Sequence, residues 1–336
     1  MPEENRFIRL FQDFTHKNIL ILGDVMIDSY LWGKVDRISP EAPVPVVALH
    51  SRENRLGGAA NVALNIKAMG ATPILCSVIG NDRQGDIFRE LLDFDHMDTR
   101  GLVRSESRLT TTKYRVIGNN VQMLRVDEES TDDLSDTEEK RLLGQVTDIL
   151  NKGDIHAIIF QDYNKGVLTA GVITKVISMA REKGIPTAVD PKKKNFELFK
   201  GVTLFKPNLK ELREGMKLSI SAANKNELEA AATLLQDTQN IDILLLTLSE
   251  YGVMIRKKGT SDKAELHFID AHKRTIADVS GAGDTVISLA SLCLACGCEL
   301  AELAAIANLA GGLVCEEVGV VPIQGEKLLK EVIRVL

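Results

Sequence analysis

The sequence predicts an α/β fold in which a mainly parallel central sheet is covered by helices on both faces. Two observations indicate this class. Apolar, strand-like runs recur along the chain, at 19–23, 74–79, 155–160, 186–189 and 241–247. Segments with helical periodicity lie between them, at 59–69, 84–92, 135–150, 172–183 and 227–236. Strands that alternate with helices are typical of βαβ units, whose strands lie parallel in one sheet.

Two regions depart from this alternation. A strand-like segment at 44–49 follows a proline-containing turn, and residues 111–126 predict a hairpin that turns at about 118–120. Because no helix separates these strands, we expect them to form a small antiparallel sheet, a lid built from residues of about 34–50 and 108–127.

The last apolar stretch, from 281 to about 316, predicts almost continuous helix. Glycine is a poor helix former, so we expect breaks near Gly297 and near Gly311 and Gly312.

Composition excludes several classes of protein. The 336 residues are 44% hydrophobic and 26% charged, and the formal net charge is −6. An acidic chain lacks the basic footprint of a nucleic-acid-binding protein. The first 14 residues are too charged for a secretory leader, and the longest uncharged run, 285–298, is too short to cross a bilayer. We therefore expect a cytoplasmic protein with neither nucleic acid nor a membrane as partner.

The cysteines indicate a reducing compartment, because their number, five, is odd and no leader precedes them. Cys293, Cys296 and Cys298 lie close together, but no histidine is near to complete a four-ligand metal site. We expect them to pack as small hydrophobic side chains.

The strongest chemical motif is residues 278–285, DVSGAGDT, which open a long apolar helix. Gly281 and Gly283 allow the backbone to approach a ligand, and the amides of a helix N-terminus bind anions. Asp284 would lie beside a phosphate there, a position suited to a general base for phosphoryl transfer. An ordinary helix start, at which the helix dipole favours Asp, fits the same pattern.

Better-known phosphate motifs are absent from the sequence. It contains no G-x-x-x-x-G-K-[ST] element, and position 286 is Val where a dinucleotide fingerprint would need a third glycine. The motif set of protein kinases is absent too.

A second glycine cluster, Gly57 and Gly58, also opens a helix. Asn61 lies one turn into this helix, among apolar residues, and a buried Asn needs hydrogen-bond partners. Sugar hydroxyls would supply them, and so would the backbone.

The predicted hairpin carries three cations. Lys113 and Arg115 are two residues apart and share one face of their strand, and Arg125 follows on the next strand. Together they could bind an anionic substrate, or they could form a solvated strand face.

Charged residues, most of them acidic, follow several predicted strands. Asp24 and Asp28 come after the first, Asp162 and Lys165 after the third, and Asp190 after the fourth. Open α/β sheets bind ligands at this edge, so a ligand site is predicted there.

Asn208 and Glu211 follow the strand-like residues 203–206. They could order the water shell of a magnesium ion that sits on phosphates. Equally, Asn208 could cap a helix with Glu211 as its partner three residues on.

Together these motifs resemble the pfkB, or ribokinase-like, family of carbohydrate kinases. Gly57 and Gly58 with Asn61 resemble its first pattern, residues 278–285 resemble its second, and 208–211 match its N-x-x-E element. The resemblance runs from about 18 to 325. It implies one domain over 1–336, with a ribokinase-like three-layer α/β/α sandwich and a small β-sheet lid.

Within that family the likeness is greatest to the kinases of bacterial ADP-heptose synthesis, and it rests on residues 23–28, 37–46, 112–115, 162–166 and 190–192. It implies ATP-dependent phosphorylation of D-glycero-D-manno-heptose 7-phosphate at O1. Bifunctional relatives carry a nucleotidyltransferase domain with an H-x-G-H element. The sequence has no such element, so we expect the kinase step alone.

The resemblance implies a role for individual residues. Asp284 is the base, and the amides of Gly281, Ala282 and Gly283 form the anion hole. The sugar phosphate is bound by Asp28, Gly57, Gly58, Asn61, Lys113, Arg115, Arg125, Asp162, Lys165, Asp190 and Lys192. ATP is bound by Asn208, Glu211, Thr247, Ser249, Gly252 and Asn308. Asn208 and Glu211 also hold Mg²⁺ indirectly, through water and phosphate.

The resemblance further allows a monovalent cation and implies a homodimer that pairs through the lid, since a small sheet exposes an edge and an apolar face. Gln161 departs from the relatives, which have a small residue there, so the pocket is expected to differ at this point. Two other functions stay open: a pfkB kinase of another sugar or of a nucleoside, and a non-catalytic protein that binds a nucleotide or sugar.

Overall fold

Strands and helices alternate along the chain in the computed structural model, which describes residues 2–259, 264–272 and 274–336. In chain order the strands are β1 (Asn18–Gly23), β2 (Val25–Ile38), β3 (Pro45–Gly58), β4 (Thr72–Gly80), β5 (Asp98–Ser105), β6 (Thr112–Gly118), β7 (Val121–Glu128), β8 (Ala157–Gln161), β9 (Thr187–Asp190), β10 (Leu204–Phe205), β11 (Ile243–Thr247), β12 (Val253–Lys257) and β13 (Glu265–Ile269). The helices are α1 (Pro2–Phe14), α2 (Ala59–Ala68), α3 (Arg83–Phe94), α4 (Asp136–Lys152), α5 (Ala170–Glu182), α6 (Leu209–Met216), α7 (Lys225–Gln239), α8 (Ala282–Ala295), α9 (Leu300–Val314) and α10 (Gly325–Val335).

The central sheet has the order β13-β12-β11-β10-β9-β8-β1-β4-β5. From β11 to β5 every neighbouring pair is parallel, and β12 and β13 continue the sheet as antiparallel strands at one edge. The predicted, mainly parallel sheet is therefore confirmed.

Apolar side chains cover the sheet on both faces. In β1, Ile19 and Ile21 pack into one core with α2, α8 and α9, whereas Leu20 and Leu22 pack into another with α4 and α5. Successive side chains of a strand point to opposite faces, so a strand buried on both faces must be apolar throughout. This confirms the three-layer α/β/α architecture.

The smaller sheet has the order β3-β2-β6-β7. The hairpin of β6 and β7 is present, and both turn residues, Asn119 and Asn120, have positive φ, as the favoured two-residue hairpin turns require. However, β2 and β6 pair in parallel, so the prediction of an antiparallel sheet is wrong for this pair. The reason is topological, because β3, α2, β4, α3 and β5 lie between β2 and β6 in the chain, and this long crossover lets β6 run in the same direction as β2.

Helix α9 corrects a second prediction. The chain does break at Gly297, between α8 and α9, but α9 runs unbroken through Gly311 and Gly312. A Cβ on Gly311 would lie 2.6 Å from a methyl carbon of Val286 in α8, so the glycine allows the two helices to pack closely. Burial of an amphipathic or apolar face contributes more to a helix than the propensity of one residue.

Within the described ranges no helix combines the length and the apolar character needed to cross a lipid bilayer.

Candidate active site

The candidate site is a cavity of about 750 Å³ at the carboxyl ends of the central strands, next to the N-terminus of α8. Eleven of the residues predicted from the sequence line it. They are Asp190, Lys192, Asn208, Thr247, Ser249, Gly252, Gly281, Ala282, Gly283, Asp284 and Asn308. Parallel strands place the residues that follow them at one edge of the sheet, which is why these distant segments meet.

Helix α8 brings a carboxylate to the cavity. Gly281, with φ of 82°, is the cap residue, and Asp284 lies in the first turn with 5% of its surface exposed. The amide of Ala282 donates to the Val279 carbonyl oxygen at 3.3 Å, so the turn before the helix engages one of the three predicted anion-hole amides.

Three neutral side chains donate hydrogen bonds to Asp284. Asn61 Nδ2 donates to Oδ2 at 2.7 Å, and Oδ1 accepts from Gln161 Nε2 at 3.0 Å and from the Tyr163 hydroxyl at 2.6 Å. Burial raises the pKa of Asp284 to about 6, although the bonds from Asn61 and Tyr163 lower it. A carboxylate with this pKa is ionised at neutral pH and can accept a proton.

Helix α2 is held against α8 by buried polar contacts. Besides the bond from Asn61 to Asp284, Thr285 Oγ1 lies 3.0 Å from Asn65 Oδ1. Gly58 precedes α2 with a positive φ, and a Cβ there would collide with the carbonyl oxygen of Asp24. The glycine cluster therefore allows the close approach that brings Asn61 to Asp284.

A group of buried charges lies beside Gly283. Lys206 Nζ is 3.0 Å from Asp190 Oδ2, and Lys192 Nζ is 3.5 Å from Asp190 Oδ1 and bonded to Glu211. Burial lowers the pKa of Lys192, but Asp190 and Glu211 raise it further, so the ammonium keeps its charge. Lys206, which lines the cavity, was not singled out from the sequence. Lys206 directly follows β10, a strand of only two residues that carries little periodic signal.

Asn208 and Glu211 form a complete capping box at the start of α6. The amide of Glu211 donates to Asn208 Oδ1, and the amide of Asn208 donates to Glu211 Oε2, both at 2.8 Å. The capping role considered from the sequence is therefore present.

The three predicted cations of the small sheet share one face, because Lys113 is paired with Asp127 and Arg115 with Arg125 in the β6–β7 register. Each has an acidic partner. Lys113 Nζ lies 3.1 Å from Asp127, Arg125 Nε lies 2.9 Å from the same carboxylate, and Arg115 is bonded to Asp28.

Lys165, from the loop after β8, joins this face through Glu129. Its Nζ lies 2.6 Å from Glu129 Oε1, and Lys113 Nζ lies 3.6 Å from Oε2. The structure thus brings Lys113 and Lys165 to one carboxylate. Arg125 stays more open, with 55% of its side chain exposed.

Asp162 occupies a different position from the other predicted substrate residues. It is completely buried, and its carboxylate accepts from the amides of Asn164 and Lys192 and from Asn195 Nδ2. Burial raises its pKa to about 6. These bonds join the loops that follow β8 and β9, so Asp162 holds the walls of the site in place.

Comparison with known proteins identifies the family. The family model described as pfkB family carbohydrate kinase matches residues 16–324. The chain belongs to the pfkB family of carbohydrate kinases.

Curated relatives of this pfkB kinase include proteins named bifunctional protein HldE. The one from Citrifermentans bemidjiense is 38% identical over 96% of this chain and 64% of its own length. The one from Geotalea uraniireducens is also 38% identical, over 98% of this chain and 66% of its own length. The chain therefore spans about two thirds of the length of these relatives.

Solved structures confirm the ribokinase-like fold. Phosphofructokinase-2 from Escherichia coli, in complex with potassium, has a TM-score of 0.77 and 18% identity, covering 95% of this chain and 98% of its own. Ribokinase from Arabidopsis thaliana, complexed with ribose and ATP, has a TM-score of 0.70 and 16% identity, covering 94% of this chain and 98% of its own.

Membership of a kinase family implies ATP as co-substrate and, typically, a divalent metal. Over the ranges that the structure describes, no group of three or more His, Cys, Asp or Glu side chains could enclose a metal ion. The pfkB kinase instead offers Glu211 and Asp190 singly, each beside a lysine. This fits an ion held chiefly by phosphates and water, the usual arrangement for magnesium with a nucleotide.

Proposed function

We propose that this pfkB kinase transfers the γ-phosphoryl group of ATP to O1 of D-glycero-D-manno-heptose 7-phosphate, a step in ADP-heptose biosynthesis. The observation that carries the transfer chemistry is the position of Asp284, a buried carboxylate in the first turn of α8 and at the wall of the cavity. The relatives named HldE support the choice of substrate.

Asp284 acts as general base in this proposal. It takes the proton from the O1 hydroxyl while O1 bonds to the γ-phosphorus and the bond from that phosphorus to the departing ADP oxygen breaks. A carboxylate offers about four acceptor positions. Among the described residues, two donors bind Oδ1 and one binds Oδ2, so Oδ2 is the atom with room for the O1 proton.

Lys206 and the N-terminus of α8 stabilise the charge on the transferred group. A Cβ on Gly283 would lie 3.7 Å from Lys206 Nζ, so this ammonium adjoins the backbone proposed as the anion hole. Lys206 is 2% exposed, and a buried charge acts more strongly on a developing charge than one in water.

Asn61 and Gln161 bind sugar hydroxyls. Both amide nitrogens face Asp284, which fixes the orientation of each amide, because a carboxylate accepts and does not donate. Asn61 Oδ1 and Gln161 Oε1 are buried and have no hydrogen-bond partner among the described residues. Buried acceptors next to the base suit the hydroxyls of a sugar.

Lys113, Arg115 and Arg125, assisted by Lys165 or Lys192, bind the 7-phosphate. A phosphate with two negative charges competes for Lys113 and Lys165 with the single charge of Glu129, which now lies between them. That each cation already has a carboxylate partner is also the observation that favours the second candidate, a kinase of an unphosphorylated sugar.

The nucleotide lies against Thr247, Ser249, Gly252 and Asn308, which line the cavity. Asn208 and Glu211 hold Mg²⁺ through water molecules. When bound, the ion neutralises phosphate charge and orients the γ-phosphoryl group.

We also propose that the small sheet pairs two copies of the chain. The register places Leu31, Leu49, Val116, Leu124 and Val126 on the face opposite the cations. Leu49, Leu124 and Val126 are 52%, 57% and 47% exposed. An apolar face of this kind favours a symmetric dimer.

Sedimentation tests this pairing. The wild type should have twice the mass of one chain, and Leu124→Glu should have the mass of one chain. A wild-type monomer at micromolar concentration would contradict the proposal.

The kinase proposal is tested by ADP release from Mg-ATP, with and without K⁺, on heptose 7-phosphate, ribose, fructose, fructose 6-phosphate and adenosine. We expect turnover on heptose 7-phosphate, lowered by about 10²–10⁴-fold in Asp284→Asn. Preference for an unphosphorylated sugar would overturn the substrate and keep the base. Turnover on no substrate would overturn phosphoryl transfer.

The five cysteines, all free, support the cytoplasm as the place of this activity.

A further inference from the structure

The loop that follows β8 is held from beneath by one buried carboxylate. Asp24 is 1% exposed, and it accepts hydrogen bonds from the backbone amides of Tyr163 at 2.8 Å, Lys165 at 3.1 Å and Val167 at 3.0 Å. Three bonds to one carboxylate fix the backbone of this short loop. The position of Tyr163 is therefore set by the fold.

Tyr163 directs its hydroxyl at the base. The hydroxyl donates to Asp284 Oδ1 at 2.6 Å, while the half-buried ring lies against the cavity and has Lys192 Nζ 5.8 Å from its centroid. Burial and the adjacent Asp284 raise the pKa of Tyr163 well above its usual value. The phenol thus keeps its proton at every pH at which the enzyme works, and it donates a hydrogen bond to Asp284 throughout that range.

We infer that Tyr163 is a positioning residue for phosphoryl transfer, which keeps Asp284 ionised and leaves Oδ2 for the acceptor hydroxyl. This inference rests on the proposed function and deepens it. The hydroxyl of Tyr163 and the amide of Gln161 together occupy Oδ1, so the carboxylate is held with its other oxygen available. A base held in a fixed orientation contributes a large part of the rate enhancement when the reaction depends on the positions of the reacting groups.

Charged groups of both signs face Asp284. Asp190, at the end of β9, disfavours a second negative charge, whereas Lys206, after β10, and Lys192, after β9, favour it. The remaining neighbours are neutral: Asn61 from α2, Gln161 from β8 and Tyr163 itself. Removal of one neutral donor leaves the buried carboxylate less well solvated, which favours its protonated form.

The test compares Tyr163→Phe with wild type by titrating the Asp284 carboxyl in ¹³C-aspartate-labelled protein, with the resonance assigned by its loss in Asp284→Asn. We expect the pKa of Asp284 to rise by about one unit in Tyr163→Phe, the size of one hydrogen bond to a charged group. The acid limb of kcat should move upward in pH by the same amount, with a smaller effect on KM for the sugar.

Tyr114→Phe is the matched control, because it removes a phenol that also lies against a carboxylate, Glu128, at 3.1 Å in the small sheet. It should leave both the Asp284 titration and the acid limb unchanged. An unshifted Asp284 pKa in Tyr163→Phe would overturn the inference.

The carboxyl titration needs no substrate, so the two proposals fail separately. A wild type that is inactive on every sugar would overturn the proposed function, while the titration would still show whether Tyr163 controls the ionisation of Asp284. A shifted pKa with an unchanged acid limb would show that the contact exists and that it does not serve catalysis, which also overturns the inference.

Discussion

Lys206 and Asp190 form an ion pair, 3.0 Å long, in which both side chains are almost completely buried. Two strand ends contribute one residue each, and the first turn of α8 lies directly beside them. Burial of a charge costs several kcal/mol even when it is paired. In the proposed reaction Asp284, which lies beside this pair, is the base, and the pair stabilises the charge that phosphoryl transfer develops there.

Lys206→Met should abolish most turnover and also destabilise the fold, because it leaves the buried Asp190 with only the longer contact to Lys192. We expect a loss of up to about 3–5 kcal/mol in the free energy of unfolding. The double variant Lys206→Met/Asp190→Asn removes both charges and should recover much of this stability without recovering kcat. Denaturant unfolding and steady-state kinetics on the three proteins measure both. Full activity in the double variant would contradict the role of Lys206.

Asp284→Asn should lower kcat by about 10²–10⁴-fold, the usual contribution of a general base, and leave ATP affinity within a few-fold of wild type. The reason is that the amide cannot accept the proton from the acceptor hydroxyl. Calorimetric ATP binding and ADP release are the measurements. Asp93→Asn, at an exposed site in α3, is the control and should behave as wild type. Equal loss of ATP binding in Asp284→Asn would point to a structural role.

Stability should depend on pH through Asp284. Burial raises its pKa from 3.8 to about 6. Below about pH 4 the carboxyl is neutral in the folded and in the unfolded chain, so it costs no stability. As the pH rises through about 6, the unfolded chain ionises more readily than the folded one, and the free energy of unfolding falls. At pH 7.5 Asp284→Asn should therefore be more stable than wild type, by at most about 3 kcal/mol. Below pH 4 the difference should vanish. Thermal unfolding across this range is the check, and a variant less stable at pH 7.5 would show that the charge stabilises the fold.

Lys113→Met should raise KM for the phosphorylated sugar about tenfold or more, with a smaller effect on kcat, because one charge-assisted bond to the phosphate is lost. Lys34→Met removes an exposed lysine from the same sheet and should have no effect. Steady-state kinetics measure both variants. If KM for a phosphorylated sugar is unchanged in Lys113→Met, the cation face does not bind the phosphate.

Substitutions of Asn208 separate the cap from the nucleotide site. Asn208→Asp keeps a side-chain acceptor for the Glu211 amide, so the cap of α6 should survive while the added charge weakens Mg-ATP binding. Asn224→Ala removes the cap of α7 at a residue that does not line the cavity, and it should cost about 1 kcal/mol of stability with no change in KM for ATP. An unchanged KM for ATP in Asn208→Asp would mean that Asn208 only caps the helix.

Local pattern was sufficient for most of the fold. The apolar runs of β1, β4, β8, β9 and β11 are visible because strands buried on both faces must be apolar along their whole length. The outer strands β5, β12 and β13 and the terminal helices α1 and α10 were not predicted. The burial of β5 and β13 is partial, so the side-chain spacing of these two strands carries a weaker signal.

The same distinction applies to the candidate site, because local pattern predicted some of its features and tertiary packing decided the others. The sequence by itself determined the family, the glycine-flanked Asp284 and the shared face of Lys113, Arg115 and Arg125, because each depends on residues close together in the chain. Only the tertiary structure decided what surrounds them. Asn61, Gln161 and Tyr163 reach Asp284 from at least 121 positions away, and Lys206 meets Asp190 across two neighbouring strands. Such contacts depend on how strands and helices pack, and residue spacing along the chain does not encode that packing.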